Sequence, residues 1–218
     1  NGECGVFNPT LMECLREISD ALKEEMRVRS EGKKMQEEVL DAVEQMVEKG
    51  AYKAAVITVS QVELDAGFRS LCESNACGKY GKCWMCPPDA GDIDALMNEA
   101  QSYQKALVYQ TVGKLEDSYD FEGMMEAARL HNELSRALAK WFATLPFAKK
   151  LHLGAGGCHM CGVCAKRTNE PCRHPELAMP SLETYGIDVS ELAASSGMKY
   201  INGQNTVTYF GALLFCEA

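Results

Sequence analysis

Apolar side chains recur at helical spacing near the start of the chain. The recurring positions are Leu11, Leu15, Ile18, Leu22 and Met26. Their intervals of four, three, four and four residues predict an amphipathic helix, and Asn8 followed by Pro9 is typical of its start. The polar stretch 29–34 has the composition of a linker. We therefore expect residues 1–34 to form a helical appendage and residues 35–218 to form the main domain.

Helix and strand patterns alternate through the main domain. Helices are predicted over 36–48, ended by Gly50, over 92–100 and over 121–142, and strands over 54–64, 105–112 and 151–153. Asp188 and Glu191 have the spacing of a capping box and predict a further short helix. The apolar segments 198–201 and 206–215 flank a turn sequence and predict a C-terminal β-hairpin. The order of elements predicts an α+β fold with a mixed or antiparallel sheet packed with helices.

Composition narrows the class of protein. With 218 residues, 46% of them hydrophobic, the chain is long enough to bury a core. The net charge of -9 argues against a general nucleic-acid surface, because phosphate binding needs concentrated Lys and Arg. No apolar run approaches the roughly 20 residues that a membrane helix needs, and the first residues lack the pattern of a secretory signal. We expect a cytoplasmic protein without nucleic-acid or membrane partners.

Eight of the eleven cysteines fall into two tight sets. The first set is Cys72, Cys77, Cys83 and Cys86, and the second is Cys158, Cys161, Cys164 and Cys172. Dense groups of four suit metal sites better than disulfides spread over a fold, and the odd total also argues against full disulfide pairing. The sequence therefore predicts two metal-binding loops. Cys4, Cys14 and Cys216 stand apart and are left out of these sites.

The second set has the spacing C-x2-C-x2-C-x7-C, which lets one loop hold three corners of a cubane. We interpret it as a 4Fe-4S site, with Cys172 as the nearest candidate for the fourth ligand. In two-cluster ferredoxins, the fourth cysteine of one motif binds the other cluster. Cys86 and Cys172 can therefore each be the fourth ligand of the other set. Zinc is the alternative metal, although structural zinc usually takes two separated pairs of ligands.

The first set has the less specific spacing C-x4-C-x5-C-x2-C and is followed by two prolines. A second 4Fe-4S cluster is the preferred interpretation and zinc the alternative. A thioredoxin-like reading of Cys83 and Cys86 leaves two cysteines unexplained. Nearby side chains have candidate secondary roles: Tyr80 and Trp84 as shields, His159 and His174 beside the ligands, and Lys166, Arg167 and Arg173 as a small basic patch.

Three runs resemble a family known only as predicted metal-binding proteins of unknown function. They are CGKYGKCWMCPP at residues 77–88, PCRHP at 171–175 and SLETYGIDV at 181–189. The likeness covers about residues 35–218, and the family's occurrence in anaerobes implies an oxygen-poor host. The run GECGVFNP at 2–9 is similar to a tail found at the ends of some bacterial signalling proteins.

These observations favour an iron-sulfur protein with one or two 4Fe-4S clusters that exchanges electrons with a redox partner protein. No paired carboxylates, Ser-His-Asp order or phosphate loop indicates a separate catalytic site, so a stand-alone enzyme is not predicted. Two alternatives stay open. One is a zinc-stabilised binding or regulatory module, and the other is a reductase with a substrate-accessible cluster. The N-terminal helix provides a possible surface for a homodimer.

Overall fold

The computed structural model describes the backbone of residues 9–217 and the side chains of residues 16, 19–30 and 32–217. The predicted cap at Asn8, the tail at residues 2–8 and the side chains of Leu11, Leu15 and Ile18 lie outside this description. The possible homodimer surface on this helix therefore stays a prediction.

Helices and strands are interleaved along the described chain. The helices are α1 (Pro9–Glu48), α2 (Phe68–Glu73), α3 (Ile93–Gln101), α4 (Phe121–Phe142) and α5 (Val189–Ser195). The strands are β1 (Lys53–Thr58), β2 (Lys105–Lys114), β3 (Lys149–Leu153) and β4 (Thr206–Cys216). Among residues 9–217, none of the helices combines the length and the apolar character needed to cross a bilayer.

Helix α1 is continuous where the sequence predicted two helices and a linker. The prediction of a break at Arg29–Lys34 was wrong, because most residues of this stretch are good helix formers and Lys34 pairs with Glu38 one turn later, at 3.8 Å. Contacts divide the chain into two compact units at Asp41. The domain boundary expected between residues 34 and 35 stays a prediction.

The four strands form one antiparallel sheet in the order β1-β2-β4-β3. The predicted C-terminal strand is confirmed as β4, but its predicted hairpin partner was wrong, since residues 198–201 are not a strand. Strand β4 pairs with β2 and β3 instead. Its run Phe210–Phe215 is buried throughout, and a strand that is apolar on both faces is stable only in the interior of a sheet.

Alternate residues of the two central strands enter two different cores. Ala106, Val108, Ala212 and Leu214 face a core formed with α3 and α5. The intervening residues, such as Leu107 and Leu213, are also buried. They belong to the face on which α4 packs against β2 and β4. Helices therefore cover both faces of the sheet, and the loops that carry the cysteines extend from its edges.

A buried polar network lies between α4 and the sheet. The Tyr109 hydroxyl donates to Ser135 Oγ at 2.8 Å and lies 2.9 Å from His152 Nε2. His131 Nδ1 lies 2.9 Å from Thr111 Oγ1. The second ring nitrogen of each histidine is buried without a hydrogen-bond partner. Burial lowers the pKa of His131 to about 4 and the pKa of His152 to about 3, so both rings are neutral in the folded protein near pH 7.

This network predicts sensitivity to acid. The unfolded chain protonates its histidines near pH 6.5, whereas the folded chain resists protonation down to about pH 4 at His131. Stability should therefore fall as the pH falls, by about 2 kcal/mol for each histidine between pH 7.5 and pH 5. Urea unfolding of the wild type and of His131→Gln at the two pH values measures this. The variant should lose about 2 kcal/mol less than the wild type over this range, and equal losses would contradict the assignment.

Candidate metal centre

The first cysteine loop runs from α2 to the start of α3. Cys72 is partly buried near the end of α2, Cys77 is exposed on the following turn, and Cys83 and Cys86 are buried. A backbone hydrogen bond of 3.0 Å from Cys86 N to Cys83 O closes a turn between the last two. The thiols of this loop thus range from fully accessible to fully enclosed.

The second cysteine loop follows β3. Its four predicted ligands, Cys158, Cys161, Cys164 and Cys172, are all partly buried. A short 3-10 turn at Ala165–Thr168 separates the third cysteine from the fourth. All nine cysteines whose side chains are described are free thiols, so none of the predicted ligands is consumed in a disulfide. Cys4 and the side chain of Cys14 lie outside the described residues, and Cys216 lies at the end of β4.

One segment connects the starting points of both loops, and we call it the strut (Ser181–Asp188). Gly154, where the second loop begins, forms a parallel bridge with Ser181. Leu64, just before the first loop, forms an antiparallel bridge with Ile187. Gly186 has a φ of +72°, and a Cβ there would lie 3.2 Å from the carbonyl oxygen of Asp65. The strut therefore fixes the spacing between the two loops through backbone contacts.

Side chains also lock the two loops together. Trp84 of the first loop donates its Nε1–H to the carbonyl oxygen of Glu170 at 2.9 Å. Lys166 of the second loop lies over the Trp84 ring, 4.3 Å from its centroid, and forms an ion pair with Asp89. This lysine belongs to the basic patch seen in the sequence, and its charge is paired within the protein.

A third connection comes from Lys79. Its ammonium group donates to the carbonyl oxygen of Gly156 at 2.9 Å and lies 2.8 Å from His159 Nε2. Burial, followed by the charge of Lys79, lowers the pKa of His159. The neutral ring accepts the hydrogen bond from Lys79, so His159 supports the loop from beside the thiols.

The thiols gather around two adjoining cavities. The inner cavity is lined by Cys83, Cys158, Cys161, Cys164 and Cys172. The outer cavity is lined by Cys72, Cys77 and Cys86. The volumes are about 20 Å³ for the inner cavity and about 300 Å³ for the outer cavity. The structure thus places one cysteine of the first loop, Cys83, with all four cysteines of the second.

Cys83 belongs to the first cysteine loop but lines the inner cavity with the cysteines of the second loop. The Cys86 thiol hydrogen-bonds to its sulfur and is the main cause that lowers the pKa of Cys83 to about 6, while burial opposes this. The backbone N–H groups of Met85 and Cys158 and the thiol of Cys164 add further hydrogen bonds. The same bond to Cys83, together with burial, raises the pKa of Cys86. One negative charge on this pair is therefore best placed on Cys83.

Burial is the main influence on the pKa of two other thiols. Burial raises the pKa of Cys72, with the Arg69 charge opposing it. Burial also raises the pKa of Cys158, where backbone hydrogen bonds from Met179 and Met160 oppose it. Among the described side chains (residues 16, 19–30 and 32–217), no three His, Cys, Asp or Glu side chains are grouped closely enough to hold a single metal ion as they stand.

Several residues of the site gave no signal in the sequence. Lys79, Asp89 and Glu183 are ordinary charged positions until the fold shows that they connect the loops or line the outer cavity. The run SLETYGIDV marked the strut only through its resemblance to a family. A pairing between distant backbone segments, such as Gly154 with Ser181, leaves no periodic pattern to detect.

These features define a cysteine-rich α+β protein whose two loops place eight cysteines around two cavities. Residues 55–215 match the family model described as "Predicted metal-binding protein (DUF2284)". Because the match covers more than half of the chain, the protein belongs to this family, as the sequence resemblance indicated. The search of curated proteins and the search of solved structures each found no match.

The packing at Gly157 generates a prediction. This glycine has a φ of +86°, and a Cβ there would lie 2.9 Å from Cys86 Sγ. Gly157→Ala should therefore lower the free energy of unfolding by about 1–2 kcal/mol through backbone strain alone, and it should displace Cys86. Gly162→Ala is the matched control, since a Cβ at Gly162 would meet no atom within 4 Å. Chemical unfolding of the two variants compares them, and equal stabilities would contradict the strained backbone conformation at Gly157.

Proposed function

We propose that the protein carries one or two 4Fe-4S clusters and passes single electrons between a donor and a redox partner protein. The observation that carries this proposal is the gathering of eight cysteine thiols around two adjoining cavities. The family supports metal binding and leaves the metal open. The choice of iron-sulfur over zinc rests on the C-x2-C-x2-C spacing of the second loop.

The residues fit a thiolate-bound cluster in their chemistry. The hydrogen bonds that lower the pKa of Cys83 favour its thiolate, which is the form that binds a cluster. The glycine backbone at Gly157 lies against Cys86 Sγ and leaves room that a side chain would fill. The outer cavity has space for a cluster at about 300 Å³. The inner cavity, at about 20 Å³, requires its thiols to separate around one.

When bound, such a cluster would supply reversible one-electron chemistry. The protein would accept one electron from a reduced donor and give one to an oxidised acceptor, so that it returns to its starting state. Its own residues would position the thiolates, enclose the inner group and keep the two groups adjacent. The net charge of -9 supports docking to a basic partner.

Oxygen-free purification tests the proposal. We expect a brown protein with up to about eight iron atoms and an equal number of acid-labile sulfides for two clusters, or about four of each for one. Reduction followed by mixing with a basic haem protein should transfer one electron per cluster, at a rate that falls as salt is added. A colourless protein with stoichiometric zinc, or a protein without iron and sulfide, would refute the proposal.

The variant Cys161→Ser tests whether the second cysteine loop holds the metal. Cys161 lines the inner cavity and belongs to the most specific spacing, so its removal should lower the iron and sulfide contents together. Cys216→Ser is the control, because this thiol lies outside both cavities at the end of β4. Iron and sulfide analysis of both variants is the measurement. Unchanged iron in Cys161→Ser would show that the second loop does not hold the metal.

A further inference from the structure

The outer cavity differs from the inner one in its accessibility. Cys77 and Leu71 both line it and are both exposed, Leu71 to 65%, so the cavity is reached from solvent. Cys86 lies at the buried end of the same cavity, and Cys72 is partly buried. A small molecule that enters from outside therefore meets three thiols arranged from the rim to the interior.

The outer cavity contains three cysteines where the first loop has four. Cys83, the remaining member of the first loop, lines the inner cavity together with the four cysteines of the second loop. A cubane has four irons, and each takes one ligand from outside the cluster. Three thiolates would leave one iron without a cysteine, in a cavity whose lining residues Leu71 and Cys77 are exposed to solvent.

We propose that Cys72, Cys77 and Cys86 hold a cluster whose fourth iron binds a small ligand entering the outer cavity, while Cys83 belongs with the second loop. This inference rests on the proposed iron-sulfur function and gives one of its centres a binding role. The protein then has an enclosed centre for electron storage beside an accessible centre for ligand binding.

The walls of the cavity indicate the chemistry of the ligand. Apolar surface comes from Phe68, Leu71, Tyr80 and Pro87. Ser181, Thr184 and Glu183 of the strut supply hydroxyl and carboxylate groups on another side. No Lys or Arg side chain is among the described residues that line it, which disfavours phosphate esters and other polyanions. The cavity suits a small uncharged molecule with an apolar body and one donor atom for iron.

Imidazole is the probe for this position, because it is small, largely neutral above its pKa and coordinates iron through nitrogen. The oxygen-free wild type is reduced and its electron paramagnetic resonance spectrum is recorded with and without imidazole. We expect one cluster signal to shift and the signal of the enclosed centre to stay unchanged. The inference would be overturned if imidazole shifted none of the cluster signals.

Cysteine variants assign the responsive signal. Cys77→Ser should lose the imidazole-sensitive signal, whereas Cys83→Ser should keep it, and Cys216→Ser serves as the control for substitution itself. Loss of the sensitive signal in Cys83→Ser, with folding verified by circular dichroism, would overturn the three-cysteine assignment. The sequence-based grouping predicts this opposite result, because it places Cys77 and Cys83 in one site.

A variant that blocks the cavity gives a test that spares every cysteine. Ala76 lines the outer cavity and is exposed, so Ala76→Phe can fill the entrance without disturbing the core. We expect unchanged iron content with loss of the imidazole shift, and an undiminished shift would contradict the route of access. Absence of iron from the wild type would instead refute the proposed function, so the two failures are distinguishable.

Discussion

The connection between the two cysteine loops is the constraint on which the rest of the site depends. Each loop alone has four thiols, but neither has enough regular structure to fix their positions. The strut holds both loops at their starts, through the bridges of Gly154 with Ser181 and of Leu64 with Ile187. Trp84 and Lys79 then tie the loops together along their length. The site is therefore a single unit made from three distant segments.

The ion pair of this unit is largely buried, so losing one of its partners would be costly to stability. Lys166 and Asp89 retain only 18% and 16% exposure in their side chains, so removing either partner would leave a charge poorly solvated. Lysines near the thiols also offset the negative charge that gathered thiolates bring. The proposed docking of a basic partner would then depend on the acidic residues elsewhere in the chain, whose net charge is -9.

Local sequence patterns predicted most helices and strands. They failed where a strand pairs with segments that are distant in the sequence. Helix α4 was predicted with its observed bounds from apolar spacing and a nearby proline, and the structure adds the side chain of Asp120 as its N-terminal cap. The hairpin failed because β4 is buried on both faces and therefore needs two neighbours, which no local pattern reveals. Cysteine spacing predicts two sets of four ligands, whereas the two cavities divide the same eight thiols into five and three. Cys83 is three residues from Cys86 in sequence, yet it lines the inner cavity with the cysteines of the second loop, while Cys86 lines the outer one.

Crystallographic location of the iron would test the central claim most directly. Oxygen-free crystals measured on both sides of the iron absorption edge reveal each iron position without reference to the sequence. The account predicts anomalous density between Cys72, Cys77 and Cys86, and also beside Cys83 and the second loop when both centres are loaded. Density at one point shared by Cys72, Cys77, Cys83 and Cys86, or cysteines bonded to each other with no iron, would contradict it.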